Sequence, residues 1–201
     1  MKKGVSLVGL ILVVVCVICV IAFFNKGTEE VVPEGNEVVE NVAETAISVE
    51  SASDLELLVN ELYENNIDLY PSLANQAIDV TDADSVKYMT GLENGDKLQY
   101  LVVSEPMMSS QAYSLVIAKV KDGVDADAVA KEMSENIDTR KWICVSAEKL
   151  YATSSGDIVF LVMSSEEMAK PVYNSFKAKA VAVGQEYEKT EVVEELPEDM
   201  Y

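Results

Sequence analysis

Two hydrophobic periods alternate along residues 53–180. Leu55, Leu58, Val59 and Leu62 recur at helical spacing behind Ser53-Asp54-Leu55-Glu56. This predicts a helix over residues 54–65, opened by a capping box between Ser53 and Glu56. Residues 98–104 (LQYLVVS) and 113–120 (YSLVIAKV) are short apolar runs rich in β-branched side chains and read as strands. Asp125 then caps a helix whose apolar face is Ala126, Val129, Ala130 and Met133. Residues 142–147 (WICVSA) and 157–163 (DIVFLVM) read as two more strands joined through a turn at Ser154-Ser155-Gly156. Ser164 and Glu167 form a second capping box. It opens a helix that buries Ala169, Val172, Tyr173, Phe176 and Ala180, with Pro171 bending its first turns. Residues 82–92 fit either a short helix capped by Asp84 and closed by Gly91, or a strand turning at Asn94-Gly95. The order of elements implies an α+β fold, with a mainly antiparallel sheet of about four strands backed by helices.

The N-terminal pattern is different. Residues 4–24 form 21 consecutive uncharged positions dominated by Val, Ile, Leu and Phe. As a helix rising about 1.5 Å per residue, the run matches a hydrocarbon layer about 30 Å thick. A cleaved export signal has a shorter apolar core and a small-x-small site; here Val20 precedes Ala22, and Phe23 and Phe24 follow. Lipidation requires a small residue before the modified cysteine, whereas Val15 precedes Cys16 and Ile18 precedes Cys19. The stretch therefore reads as a retained transmembrane helix with both cysteines as packing residues. Lys2 and Lys3 before it, against Lys26 alone after it, place the N-terminus in the cytoplasm and the rest of the chain outside.

Charge sharpens this organisation. The chain has 201 residues, with 15 basic, 35 acidic and no histidine. All three lysines of the first 26 residues are on the anchor side, so the remainder carries a net −23. Such a body is repelled by nucleic acid and by anionic lipid. Residues 27–52 hold seven glutamates and no base, and read as a flexible acidic linker. Residues 184–201, with seven acids and one lysine, read as an acidic disordered tail. The soluble α+β domain is thus expected at residues 53–183.

Little in this composition supports catalysis. Ser146-Ala147-Glu148-Lys149 matches S-x-x-K, in which a lysine activates a serine nucleophile, but the companion elements of such hydrolases are missing. Asp79, Asp82 and Asp84, and again Asp122, Asp125 and Asp127, cluster as in cation loops, yet lack the glycine and the twelfth-position glutamate of a calcium loop. Each cluster precedes a helical pattern and serves equally as a cap. Cys144 stands among Trp142, Ile143 and Val145 and reads as a buried structural thiol. The sequence thus assigns no catalytic, cofactor-binding or metal-ligating residue. An envelope hydrolase using Ser146 and Lys149, or a weak cation sensor, stands as the alternative to an interaction module. The loop of Glu105, Pro106, Met107, Met108, Ser109 and Ser110 between two strands is the candidate partner contact. Paired methionines there either fill the core at the loop base or make an adaptable apolar contact; two alone are a poor soft-metal site.

The block SEPMMSSQAYSLVIAKVKDGVDADAVAKEMSENIDTRKWICV (residues 104–145), followed by SGDIVFLVM (residues 155–163), resembles an uncharacterised family of mostly Gram-positive bacterial membrane-anchored proteins. Their extracytoplasmic domain has no known function. The resemblance covers roughly residues 80–180. It implies a single-pass protein of the cell membrane, an accessory or interaction module of the bacterial envelope, with an unknown protein or envelope partner. It carries over no catalytic residue.

Overall fold

The computed structural model describes residues 47–64, 72–108 and 111–191. The expected transmembrane segment, the linker up to residue 46, Ser109, Ser110 and the last ten residues lie outside them. No helix among the described residues is long and apolar enough to cross a membrane.

The elements, in chain order, are α1 (Ala52–Tyr63), β1 (Leu73–Ala77), α2 (Ala83–Thr90), β2 (Leu98–Pro106), β3 (Ser114–Val120), α3 (Ala126–Asn136), β4 (Lys149–Ser155), β5 (Ile158–Ser164), α4 (Glu166–Lys179) and β6 (Tyr187–Thr190). The six strands form one antiparallel sheet in the order β1-β2-β3-β5-β4-β6. One face packs on α1 and α4, through Leu55, Val59, Leu62, Val172, Tyr173 and Phe176. The other packs on α2 and α3, through Val86, Val129, Ala130 and Met133. A sheet covered on both faces has no solvent side, so its central strands lose the usual apolar-polar alternation. Every residue of β5 is buried. Phe160 of β5 stacks on Phe176 of α4 with ring centroids 4.6 Å apart. Burying a side chain of this size contributes about 2 kcal/mol.

The fold class agrees with the sequence pattern, but the sheet has six strands rather than about four. The two extra strands are its edges. β1 (LANQA) and β6 (YEKT) are short, mostly exposed and lack a run of large apolar or β-branched side chains, so they carry no strand signal. β6 lies inside the stretch read as an acidic tail and pairs along β4 from Lys149–Thr190 to Ala152–Tyr187. At the other boundary, Val49 is buried in the α1/α4 core, within the stretch read as linker.

The expected strand at residues 142–147 is a loop, and β4 follows it at Lys149–Ser155. Turn geometry dictates this. Ser155 pairs with Ile158, leaving only Gly156 and Asp157 between the strands, and Gly156 has φ 60°. A two-residue turn with glycine first fixes the register. Counting back from it, the seven residues of β5 are matched by 149–155, and nothing remains for 142–147. Cys144, at φ 65°, departs from extended backbone altogether.

Helix caps are shifted by one or two residues. Ser51 and Asp54 make the capping box of α1, in place of Ser53 and Glu56. The ambiguous segment is a helix, α2, capped by Asp82 rather than Asp84. Gly91 closes α2 at φ 79° and donates its N–H to the Lys87 carbonyl at 2.9 Å. A Cβ there would lie 2.4 Å from the Ile137 nitrogen, because the ends of α2 and α3 meet at this glycine. Asp125 caps α3 as expected. Ser165 precedes α4 without a side-chain cap bond, replacing the expected Ser164–Glu167 box, and Pro171 is inside the helix.

Candidate interaction surface

Side chains on a strand alternate between faces. On β2, Leu101 and Val103 enter the α2/α3 core, and the next residue of that row is Glu105. On β3 the same row runs Val120, Ala118, Val116 and then Ser114. Both apolar rows therefore end in a polar residue at one end of the sheet, a step beyond the Ser104–Leu115 rung. Lys141, from the loop between α3 and β4, closes that end. Its ammonium lies 2.6 Å from Glu105 Oε1 and 3.2 Å from Ser114 Oγ. It faces the rings of Tyr88 (5.2 Å) and Trp142 (5.5 Å) and lies 3.9 Å from Met89 Sδ. The Tyr88 hydroxyl donates to the Lys141 carbonyl. One lysine thus ties together α2, the end of β2, the start of β3 and its own loop.

The Lys141 side chain is 1% exposed and that of Glu105 is 24% exposed. Burial pushes the ammonium below the ordinary lysine range, while the Glu105 carboxylate pulls it back up. The Tyr88 phenol is raised, first by burial and then by Glu105 and Asp138. A lysine beside a serine is also the arrangement that activates a nucleophile. Here Ser114 is fully buried, so no substrate reaches it, and Glu105 stabilises the protonated lysine. The pair's chemistry is that of a fastener.

Large apolar side chains are exposed on the segments that this fastener joins. Met107 is 80% exposed, Met108 74%, Ile143 77% and Tyr88 53%. The methionines follow Glu105 by two and three residues, and Ile143 follows Lys141 by two. Of the two readings open for Met107 and Met108, core filling at the loop base does not hold, since both side chains are exposed. Pro106 ends β2, opposite Leu73. Cys144 is exposed on the same loop as Ile143, correcting its reading as a buried thiol. Lys141, Ser114, Tyr88 and Ile143 are the members that sequence reasoning missed. The chain's single tryptophan beside a lysine was the one available signal.

The other candidates fall elsewhere. Lys149 Nζ bonds Glu188 Oε1 and Thr190 Oγ1, both at 2.7 Å, and its ammonium is raised, chiefly by the Glu188 hydrogen bond. A general base must be neutral, so Lys149 is held in the opposite state. Asp79 accepts from the Thr81 N–H and hydroxyl, and Asp82 from those of Ser85. Asp125 caps α3, and Asp127 accepts from Ser154 Oγ and the Gln185 N–H. Among the described residues no three acidic or sulfhydryl groups converge as metal ligands. Among the described residues nine lysines are ion-paired to carboxylates. Positive charge is consumed internally, leaving a surplus of acid.

No protein-family model matches the chain, and comparison with curated proteins and with solved structures likewise gives no match.

Proposed function

We propose that the chain is a single-pass, membrane-anchored interaction module facing outward from a bacterial cell, and that it docks an envelope partner through Tyr88, Met107, Met108 and Ile143. The observation that carries this reading is the exposure of four large apolar side chains on segments fastened to one another by a buried ion pair. Scattered exposed apolar residues are ordinary, but four on segments pinned to one another suit a contact site. Methionine suits the role because its unbranched thioether adapts to a partner's shape. The uncharged run at residues 4–24 with its flanking lysines supports the anchor and its orientation. The acidic stretch after it supports a spacer that keeps the domain off an anionic bilayer. The resemblance to Gram-positive membrane-anchored proteins points the same way.

Two experiments test the reading. A photo-crosslinking amino acid at position 108 of the full chain in living cells should capture one defined partner, and Ile143→Asp should abolish the capture. Diffuse crosslinking, or capture indifferent to Ile143→Asp, refutes the docking surface. For topology, exposed Cys144 should react with a membrane-impermeant maleimide on intact cells. Labelling only after lysis refutes the outward orientation.

A further inference from the structure

We propose that Met107 and Met108 are an oxidation site, at which conversion of the two thioethers to sulfoxides switches the surface from apolar to polar. The site half of this proposal stands alone; the switch half rests on the docking reading above.

The chain's described methionines divide sharply by burial. Met133 and Met163 are fully buried in the α2/α3 core, and Met89 and Met168 are partly covered. Met107 and Met108 alone among them stand almost free in solvent. An oxygen-atom donor must touch sulfur to react, so it reaches a core methionine only when the fold opens. Hypochlorous acid serves as the donor. The thioether sulfur gives up an electron pair and gains one oxygen, while the chlorine is reduced and leaves as chloride with release of one proton. Each event uses one oxidant and leaves the backbone intact.

The fold is arranged to survive the change. Neither side chain belongs to either core cluster, and the loops that bear the surface are held by the Lys141–Glu105 pair, which contains no sulfur and whose lysine side chain is 1% exposed. Oxidation therefore adds two strong dipoles to the exposed patch without touching what shapes it. A sulfoxide is a polar hydrogen-bond acceptor and must be desolvated to enter an apolar contact. Two adjacent sulfoxides would expel a partner seated on Ile143 and Tyr88.

The test uses the full chain in mild detergent, in a Cys144→Ser background that removes a competing thiol. Sub-stoichiometric hypochlorous acid is added and sulfoxides are located by peptide mass spectrometry, with circular dichroism as a check on the fold. Met107 and Met108 should oxidise at least about tenfold faster than Met133 and Met163. Oxidation spread evenly over the four, with the fold intact, overturns the proposal. In cells, a photo-crosslinker at position 143 should lose its capture after oxidant treatment and regain it once the methionine sulfoxide reductases MsrA and MsrB are supplied. Loss that the reductases do not reverse overturns the switch. Absence of capture before any oxidant overturns the docking reading and the switch with it, while the order of sulfoxide formation still decides the site.

Discussion

Replacing Lys141 by methionine removes the buried ammonium and keeps an unbranched stem of similar length. It leaves the Glu105 carboxylate, 24% exposed, without its counter-charge. Breaking a buried pair by deleting one partner costs about 3–5 kcal/mol, and the partial solvation of Glu105 lowers this to about 2–3 kcal/mol. Glu105→Gln strands the ammonium instead. Ser114 Oγ at 3.2 Å and the two ring faces compensate in part, so the cost is again about 3 kcal/mol. The double variant Lys141→Met/Glu105→Gln buries no charge and should cost about 1 kcal/mol or less, because desolvation and attraction are lost together. The cycle should thus show a coupling above about 2 kcal/mol. Urea titration of the full chain in detergent measures it, followed by the fluorescence of Trp142, the chain's one tryptophan. The pH dependence adds a second reading. Because burial depresses the folded-state lysine below its ordinary value of 10.5, the unfolded chain binds more protons between those two values. Stability therefore rises with pH through that window. Glu105→Gln depresses the folded value further and starts the rise at lower pH, so its deficit should shrink as pH rises toward 10.5. Single variants costing under about 0.5 kcal/mol, or additive within that margin, would refute the buried-fastener argument.

Other consequences are as direct. Gly91→Ala should destabilise by about 2 kcal/mol or more, since a left-handed φ of 79° and a contact at 2.4 Å to backbone both oppose a Cβ; Gly123→Ala, at the same φ with open space, should cost only about 1 kcal/mol, and equal losses would contradict the close approach of α2 and α3. Asp127→Ala removes the acceptor for the nearly buried Ser154 hydroxyl and the Gln185 N–H, so it should cost about 1–2 kcal/mol and speed amide hydrogen exchange along β6; unchanged exchange there would show that Asp127 does not hold the edge strand. The carboxyls of Asp54, Asp82 and Glu186 are held low, first by the Glu50 N–H, the Ser85 hydroxyl and the Tyr173 hydroxyl respectively. Their stabilisation is present above the ordinary carboxylate values of 3.8 and 4.5 and is lost as pH falls through the lower folded ones, so the urea midpoint should drop in that range; a midpoint flat from about pH 5 to about pH 2 would contradict it.

The surface around Lys141 also shows why its site was only half legible in the chain. Met107 and Met108 stood out as an unusual pair between two apolar strands, and the contact they offer was an open alternative from the start. That Glu105 belongs to a buried ion pair was not readable. Its partner is 36 positions away, and apart from the neighbouring Trp142 nothing local distinguishes Lys141 from a solvated lysine at a loop. Cys144 illustrates the converse error. A run of Trp, Ile, Cys and Val has high β propensity, but propensity loses to register when a two-residue turn assigns the pairing strand elsewhere.

By itself the sequence determined the central three strands, the three longer helices, the antiparallel α+β class and the separation of an acidic body from an apolar, lysine-flanked N-terminus. These rest on local signals, namely period, length and charge, that survive without tertiary context. The edge strands β1 and β6, the course of residues 142–147 and the gathering of Tyr88, Glu105, Ser114 and Lys141 were decided only by the tertiary structure. Edge strands form by hydrogen bonding to a neighbour already in place and need no apolar face of their own. Likewise, a lysine is buried only where the fold brings a carboxylate to meet it, and that meeting depends on strand order rather than on any neighbour in the chain.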